Sequence, residues 1–177
     1  MRFVVKKYDN DVLKETTDIT LDAKGGNQYW RIKTTYTESV KEEEVKYLKN
    51  ANGKYNRYDL GKNGWALFPI EFDVVLVEAS AKGLLNYFYL MANAYGFKDN
   101  MADFVEGSKT IVGRQCEKYV HKDYYNTGMD MPILWIETQY GFTLGSTGYA
   151  ENNRFREEFE CTKLELSGVD AITAPEA

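Results

Sequence analysis

One histidine, two cysteines and several carboxylate clusters are the residues with which this chain could do chemistry. Their spacing assembles no reactive centre. Nucleophilic catalysis needs a Ser or Cys beside a base that a third group orients. His121 stands next to Lys122 and Asp123, no motif assigns it a nucleophile, and it reads as a surface histidine. Gly145-Ser146-Thr147-Gly148 lacks the Gly-x-Ser-x-Gly spacing of a nucleophile elbow and reads as a loop. Gly107-Ser108-Lys109-Thr110 resembles the end of a phosphate loop. There, however, Ser separates Gly from Lys and a strand follows where a helix is needed. Glu42, Glu43 and Glu44, and the pair Glu157-Glu158, fall on solvated strands rather than forming a desolvated acid–base pair. Asp123 to Asp130 offers hard oxygens but matches no calcium-loop template. Cys116 and Cys161 form no Cys-x-x-Cys and join no Cys/His cluster, which argues against structural zinc. The expectation is a protein that is not an enzyme, with no catalytic residue, no metal and no cofactor.

Bulk composition narrows the partners. The length of 177 residues suits one domain with a real core. A hydrophobic fraction of 44% excludes a disordered chain. The net charge of −5 and pI near 5.1, with basic residues scattered among acidic ones, argue against nucleic acid. Aromatics make up 15%, which favours strands and supplies large apolar area. The start, MRFVVKKYDND, has too short an apolar run for a signal peptide. No stretch is apolar for long enough to span a bilayer as a helix.

The elements that must position any site are mostly strands. Residues 2–8, 12–22 and 28–38 read as strands, with turns at Asp9-Asn10-Asp11 and Lys24-Gly25-Gly26-Asn27. In the third, Trp30, Ile32, Thr34 and Tyr36 fall on one face, the period of a half-buried antiparallel strand. Asn52-Gly53 and Asn63-Gly64 mark two further hairpins around 45–49, 54–60 and 65–68. Residues 2–68 are therefore a meander of five or six strands. Pro69 breaks it, and 70–79 fit strand and helix equally. From Ser80 to Phe97 the chain reads SAKGLLNYFYLMANAYGF, with apolar residues at helical spacing, Ser80 as N-cap and Gly96 as C′. Its polar stripe is narrow, so this helix is predicted to be buried on most sides. A loop with a helical turn at 101–105 follows. A second strand block spans 108–166, with strands at 108–122, 133–139, 142–144 and 154–166. Residues 123–132 are a loop, and the chain from Ser167 reads as frayed. With one strand between them, Cys116 and Cys161 would have Cα atoms roughly 9–10 Å apart. A disulfide tolerates about 7 Å. Buried thiols are expected unless another strand order or a bulge brings them closer.

The run Ile111-Val112-Gly113-Arg114-Gln115-Cys116-Glu117-Lys118-Tyr119, then Leu134-Trp135-Ile136-Glu137, then Gly141-Phe142-Thr143-Leu144, resembles a pattern of uncharacterised bacterial secreted lipoproteins. These are similar to the LolA/LolB lipoprotein-carrier superfamily. The resemblance covers about Ser108 to Leu166. Glu137 stands where the pattern has Asp, Gly145 stands where it has Lys, and the carriers' amino-terminal helix and lipobox cysteine are absent. The resemblance implies an extracytoplasmic location in the bacterial envelope or on the cell surface. It also implies an unclosed β half-barrel with an apolar cavity and lipid or lipoprotein handling.

The combined expectation is an α+β fold, a curved antiparallel sheet (an unclosed half-barrel) packed around a central apolar helix. Its function is to bind a lipid, acyl chain or other apolar ligand between sheet and helix. The candidate contacts are Leu84, Leu85, Phe88, Tyr89, Met91, Tyr95, Trp30 and Trp135. A monomer is expected, with membrane contact only through an anchor absent from this chain. The alternative is a surface structural or protein-interaction domain with a filled core. A carbohydrate-binding module using Tyr29, Tyr47 and Tyr55 ranks third.

Overall fold

The computed structural model describes residues 1–71, 102–121, 133–139 and 143–175. The first half is the expected meander: β1 (Arg2–Asp9), β2 (Val12–Lys24), β3 (Asn27–Tyr36), β4 (Val40–Lys49), β5 (Tyr55–Gly61) and β6 (Gly64–Leu67). Tight turns join them. Asn10 and Asp11 adopt φ of 47° and 62°, and Gly25 and Gly26 adopt 60° and 85°. These left-handed values match the twist of a two-residue hairpin and suit Asn, Asp and Gly. The second half is β7 (Ala102–Ile111), β8 (Arg114–His121), β9 (Ile133–Glu137), β10 (Thr143–Ala150) and β11 (Phe155–Lys163).

The eleven strands of the described residues belong to one curved antiparallel sheet in the order β6-β5-β4-β3-β2-β1-β11-β10-β9-β8-β7. The pairing of β1 with β11 joins the two meanders, with Val5 opposite Phe159 and Phe3 opposite Cys161. Alternate side chains then form buried rows across the strands. Ile19 faces Phe3 and Ile32, and Leu21 faces Trp30, which in turn faces Val45. These residues and Tyr47, Tyr55, Leu144, Phe159 and Cys161 belong to one core cluster. Each large apolar side chain taken from water adds about 1.5–3 kcal/mol. Trp30 Nε1 donates to Gln28 Oε1 at 3.0 Å, so the indole is buried without an orphaned donor.

The α+β class is corrected. The described residues hold strands and no helix, and the antiparallel ladder alone accounts for them. That class came from the periodicity of one apolar stretch, whereas strand alternation and turn chemistry organise the described residues up to the end of β11. The stretch itself, Ser80–Phe97, lies outside the described residues, as does the loop 123–132. Three smaller expectations also change. Residues 102–105 are strand, not a helical turn. Val112 and Gly113, read as part of one long strand, are the turn of the β7–β8 hairpin, with φ of 46° and 76°. Gly145 to Gly148, read as a loop, lie inside β10. Two strands, β9 and β10, separate the strands of Cys116 and Cys161, and both thiols are free and buried.

The second meander curls back on itself. β7 and β11 stand four places apart in the sheet order, yet Lys109 Nζ lies 3.0 Å from the Glu160 carboxylate. A break in register between Phe104 and Ser108 allows β7 to bend.

Candidate functional site

Where β7 returns onto β11, a groove of about 540 Å³ opens on the sheet. Register explains who lines it. Trp135 on β9 faces Gly145 on β10, Gly145 faces Glu160 on β11, and Glu160 faces Val4 on β1. Because side chains alternate, this row shares one face of the sheet, with Lys6 two residues beyond Val4 and Glu158 opposite Lys6. Gly145 is the gap in the row. A Cβ there would lie 3.3 Å from Trp135 Cδ1 and 3.2 Å from Ile111 Cδ1. The missing side chain lets the indole lie against β10 and lets Ile111 of β7 pack over it.

Lys109 completes the wall. Its Nζ sits 5.1 Å from the centre of the Trp135 ring while it pairs with Glu160. Both partners are partly exposed, so the ion pair contributes about 0–1 kcal/mol and acts chiefly to orient Lys109 over the indole. Thr162 and Thr147 add hydroxyls to the rim. The lining mixes apolar and polar groups. Its floor is aromatic and aliphatic, and its walls carry ammonium, carboxylate and hydroxyl groups. Among the described residues no group of three or more His, Cys, Asp or Glu converges on a metal-sized site.

Of the sequence-predicted contacts, Trp135 is half-buried and lines this groove. Trp30 does not join it, being fully enclosed in the core. Leu84, Leu85, Phe88, Tyr89, Met91 and Tyr95 lie outside the described residues. Val4, Lys6, Lys109 and Glu160 went unread. Their meeting depends on pairing between strands distant in sequence, and only the glycine at 145 left a local trace. The aromatic platform expected of a carbohydrate binder is absent at the three tyrosines named. Tyr47 and Tyr55 are buried, and Tyr29 meets Trp65 edge-on at 63°.

Elsewhere, burial sets the titration of several groups. It pushes the Cys116 thiol up to about 11 and raises Cys161 as well. Tyr29 is pushed up to about 12 by burial and by its hydrogen bond to the Glu44 carboxylate. Glu157 is raised by burial, against the pull of Lys7.

The described residues define a single curved antiparallel sheet with a groove on it. No protein-family model matches the chain, and no curated protein matches it. Solved structures give distant likenesses. The MucA/MucB complex from Pseudomonas aeruginosa is 16% identical, covers 96% of this chain and 53% of that one, and has a TM-score of 0.48. A crystal structure of MucB gives 15% identity, 96% and 55% coverage, and a TM-score of 0.46. A DUF1329 family protein from Desulfovibrio piger gives 9% identity, 90% and 81% coverage, and a TM-score of 0.31. The chain thus spans about half the length of the MucB chains it matches. Likeness at this level leaves function to be read from the chain's own residues.

Proposed function

We propose that this chain is a non-catalytic binding protein that holds a lipid, acyl chain or other apolar ligand in the groove beside Trp135. The observation that carries the reading is the groove itself. Its volume falls within the roughly 300–1,000 Å³ of small-molecule sites. An indole and Val4 supply apolar contact, and the ammonium groups of Lys6 and Lys109 stand at the wall to meet a polar head. The location we infer, the bacterial envelope or cell surface, is supported by the resemblance of residues 108–166 to secreted lipoproteins.

Displacement of a fluorescent fatty acid tests the reading. Saturable binding is expected, weakened at least about tenfold by Trp135→Ala, or 1.4 kcal/mol, in a variant shown by circular dichroism to remain folded. Binding that is absent, or indifferent to Trp135, would remove it.

One observation favours the alternative, a protein-interaction domain. Among the described residues the strand β6 is an edge of the sheet, with Leu67 58% exposed on it and Leu60 exposed on its neighbour. Its sequence, Gly64-Trp65-Ala66-Leu67, carries neither charge nor proline, the usual guards of an edge. A partner strand adding to β6 would fit this reading.

A further inference from the structure

The segment after β11 is tied to the sheet in an unusual way. Lys24 Nζ donates to the Val169 carbonyl at 2.6 Å, Asn27 Nδ2 to the Ile172 carbonyl at 3.0 Å, and Lys46 Nζ to the Thr173 carbonyl at 3.3 Å. These donors sit at neighbouring strand positions on β2, β3 and β4. Each contact is made to main chain and none to a side chain of the segment.

Two of the donors are set in place beforehand. The Asn27 amide is fixed because its Oδ1 accepts from the Lys49 backbone N–H at 2.9 Å. The Lys46 ammonium is held between the rings of Tyr29 and Trp65, 5.2 and 5.0 Å from their centres. The segment meets this strip with a regular pattern. Val169 and Pro175 are half-buried, Ile172 is 9% exposed, and the residues between them face solvent. Residues 169–175 form neither strand nor helix, and burial at every third residue matches the three-residue turn of a polyproline-type chain. Such a chain makes no internal hydrogen bonds, so its carbonyls are free to accept from a neighbouring surface.

We propose that the strip Lys24–Asn27–Lys46 is a recognition surface for an extended peptide with apolar residues three apart, and that residues 169–175 occupy it in cis. Main-chain recognition does not depend on the segment's own side chains beyond Val169, Ile172 and Pro175. A partner peptide with the same spacing therefore competes for the strip.

The test uses the full chain and a labelled synthetic peptide of residues 167–175. Ile172→Asp places a carboxylate at the buried position and releases the segment, seen as faster hydrogen exchange at 168–175. The peptide is expected to bind this variant at least about tenfold tighter than the wild type, by fluorescence anisotropy. Adding Lys24→Ala and Asn27→Ala to the same variant should abolish that binding. Equal binding to wild type and to a folded Ile172→Asp variant would overturn the proposal. So would global unfolding by both Ile172→Asp and the milder Val169→Asp, because the segment would then belong to the core and not be displaceable.

Discussion

The Arg114 guanidinium donates to the Glu137 carboxylate at 3.0 Å, and Glu137 is only 2% exposed. Arg114 opens β8 and Glu137 closes β9, so the pair ties the β7–β8 hairpin to the strand that carries Trp135. A charge this enclosed depends on its partners, and removing one of them leaves part of its desolvation cost uncompensated. Arg114→Ala is predicted to lower stability by about 3–5 kcal/mol. The double variant Arg114→Ala, Glu137→Gln should recover part of that loss. Urea denaturation of the four proteins in a double-mutant cycle checks this; additive losses would contradict it.

Gly145 makes room for two side chains at once. Gly145→Val is predicted to cost about 1–3 kcal/mol as overpacking against Ile111 and Trp135. Ile111→Ala in the same chain should reduce the penalty of the valine, because it removes the nearer neighbour. Thermal melts of the single and double variants measure the coupling.

Glu157 gives a pH dependence with a definite sign. Lys7 Nζ lies 3.1 Å from Glu15 and 4.0 Å from Glu157, so one ammonium serves two carboxylates. Burial is the larger influence and raises the Glu157 carboxyl above its ordinary value of 4.5. Between the unfolded and folded values the native state holds the extra proton, so this group's contribution to stability falls as pH rises through that window. Glu157→Gln should therefore be more stable than the wild type at pH 7. The advantage should vanish below the unfolded carboxylate range, near about pH 4. Denaturation at the two pH values decides it, and an equal difference at both would contradict it.

The two cysteines should be silent in the folded protein. Thiolate is the reactive form, and burial pushes Cys116 up to about 11. A thiol reagent at pH 8 is predicted to modify neither Cys116 nor Cys161 until denaturant is added, when both react. Rapid labelling of the native chain, or no free thiol after unfolding, would contradict the arrangement.

The first six strands were legible because their signals are local. Alternation in 28–36 and the pairs Asn10-Asp11, Gly25-Gly26 and Asn52-Gly53 carry the turn chemistry within a few residues. The second block was harder for the same reason. Gly145-Ser146-Thr147-Gly148 has a loop's composition, and contact with Ile111 and Trp135 on other strands explains the glycine at 145 in mid-strand. Val112 misled because a β-branched residue seldom adopts positive φ, yet it does so in the hairpin turn. Residues 169–173 resembled a frayed end, since nothing in their own sequence shows that Lys24, Asn27 and Lys46 wait for their carbonyls. Trp135, named from its strand, lines the groove. Trp30, equally aromatic, belongs to the core because its face of β3 is the buried one.

A titration of isotope-labelled protein with lauric acid, followed by NMR, tests the binding reading most directly. Saturable shifts are predicted at the Trp135 indole and at the backbone amides of Val4, Lys6 and Thr162, with the Trp30 indole unmoved. Shifts confined to other parts of the sheet, or none at saturating ligand, would contradict a ligand site in this groove.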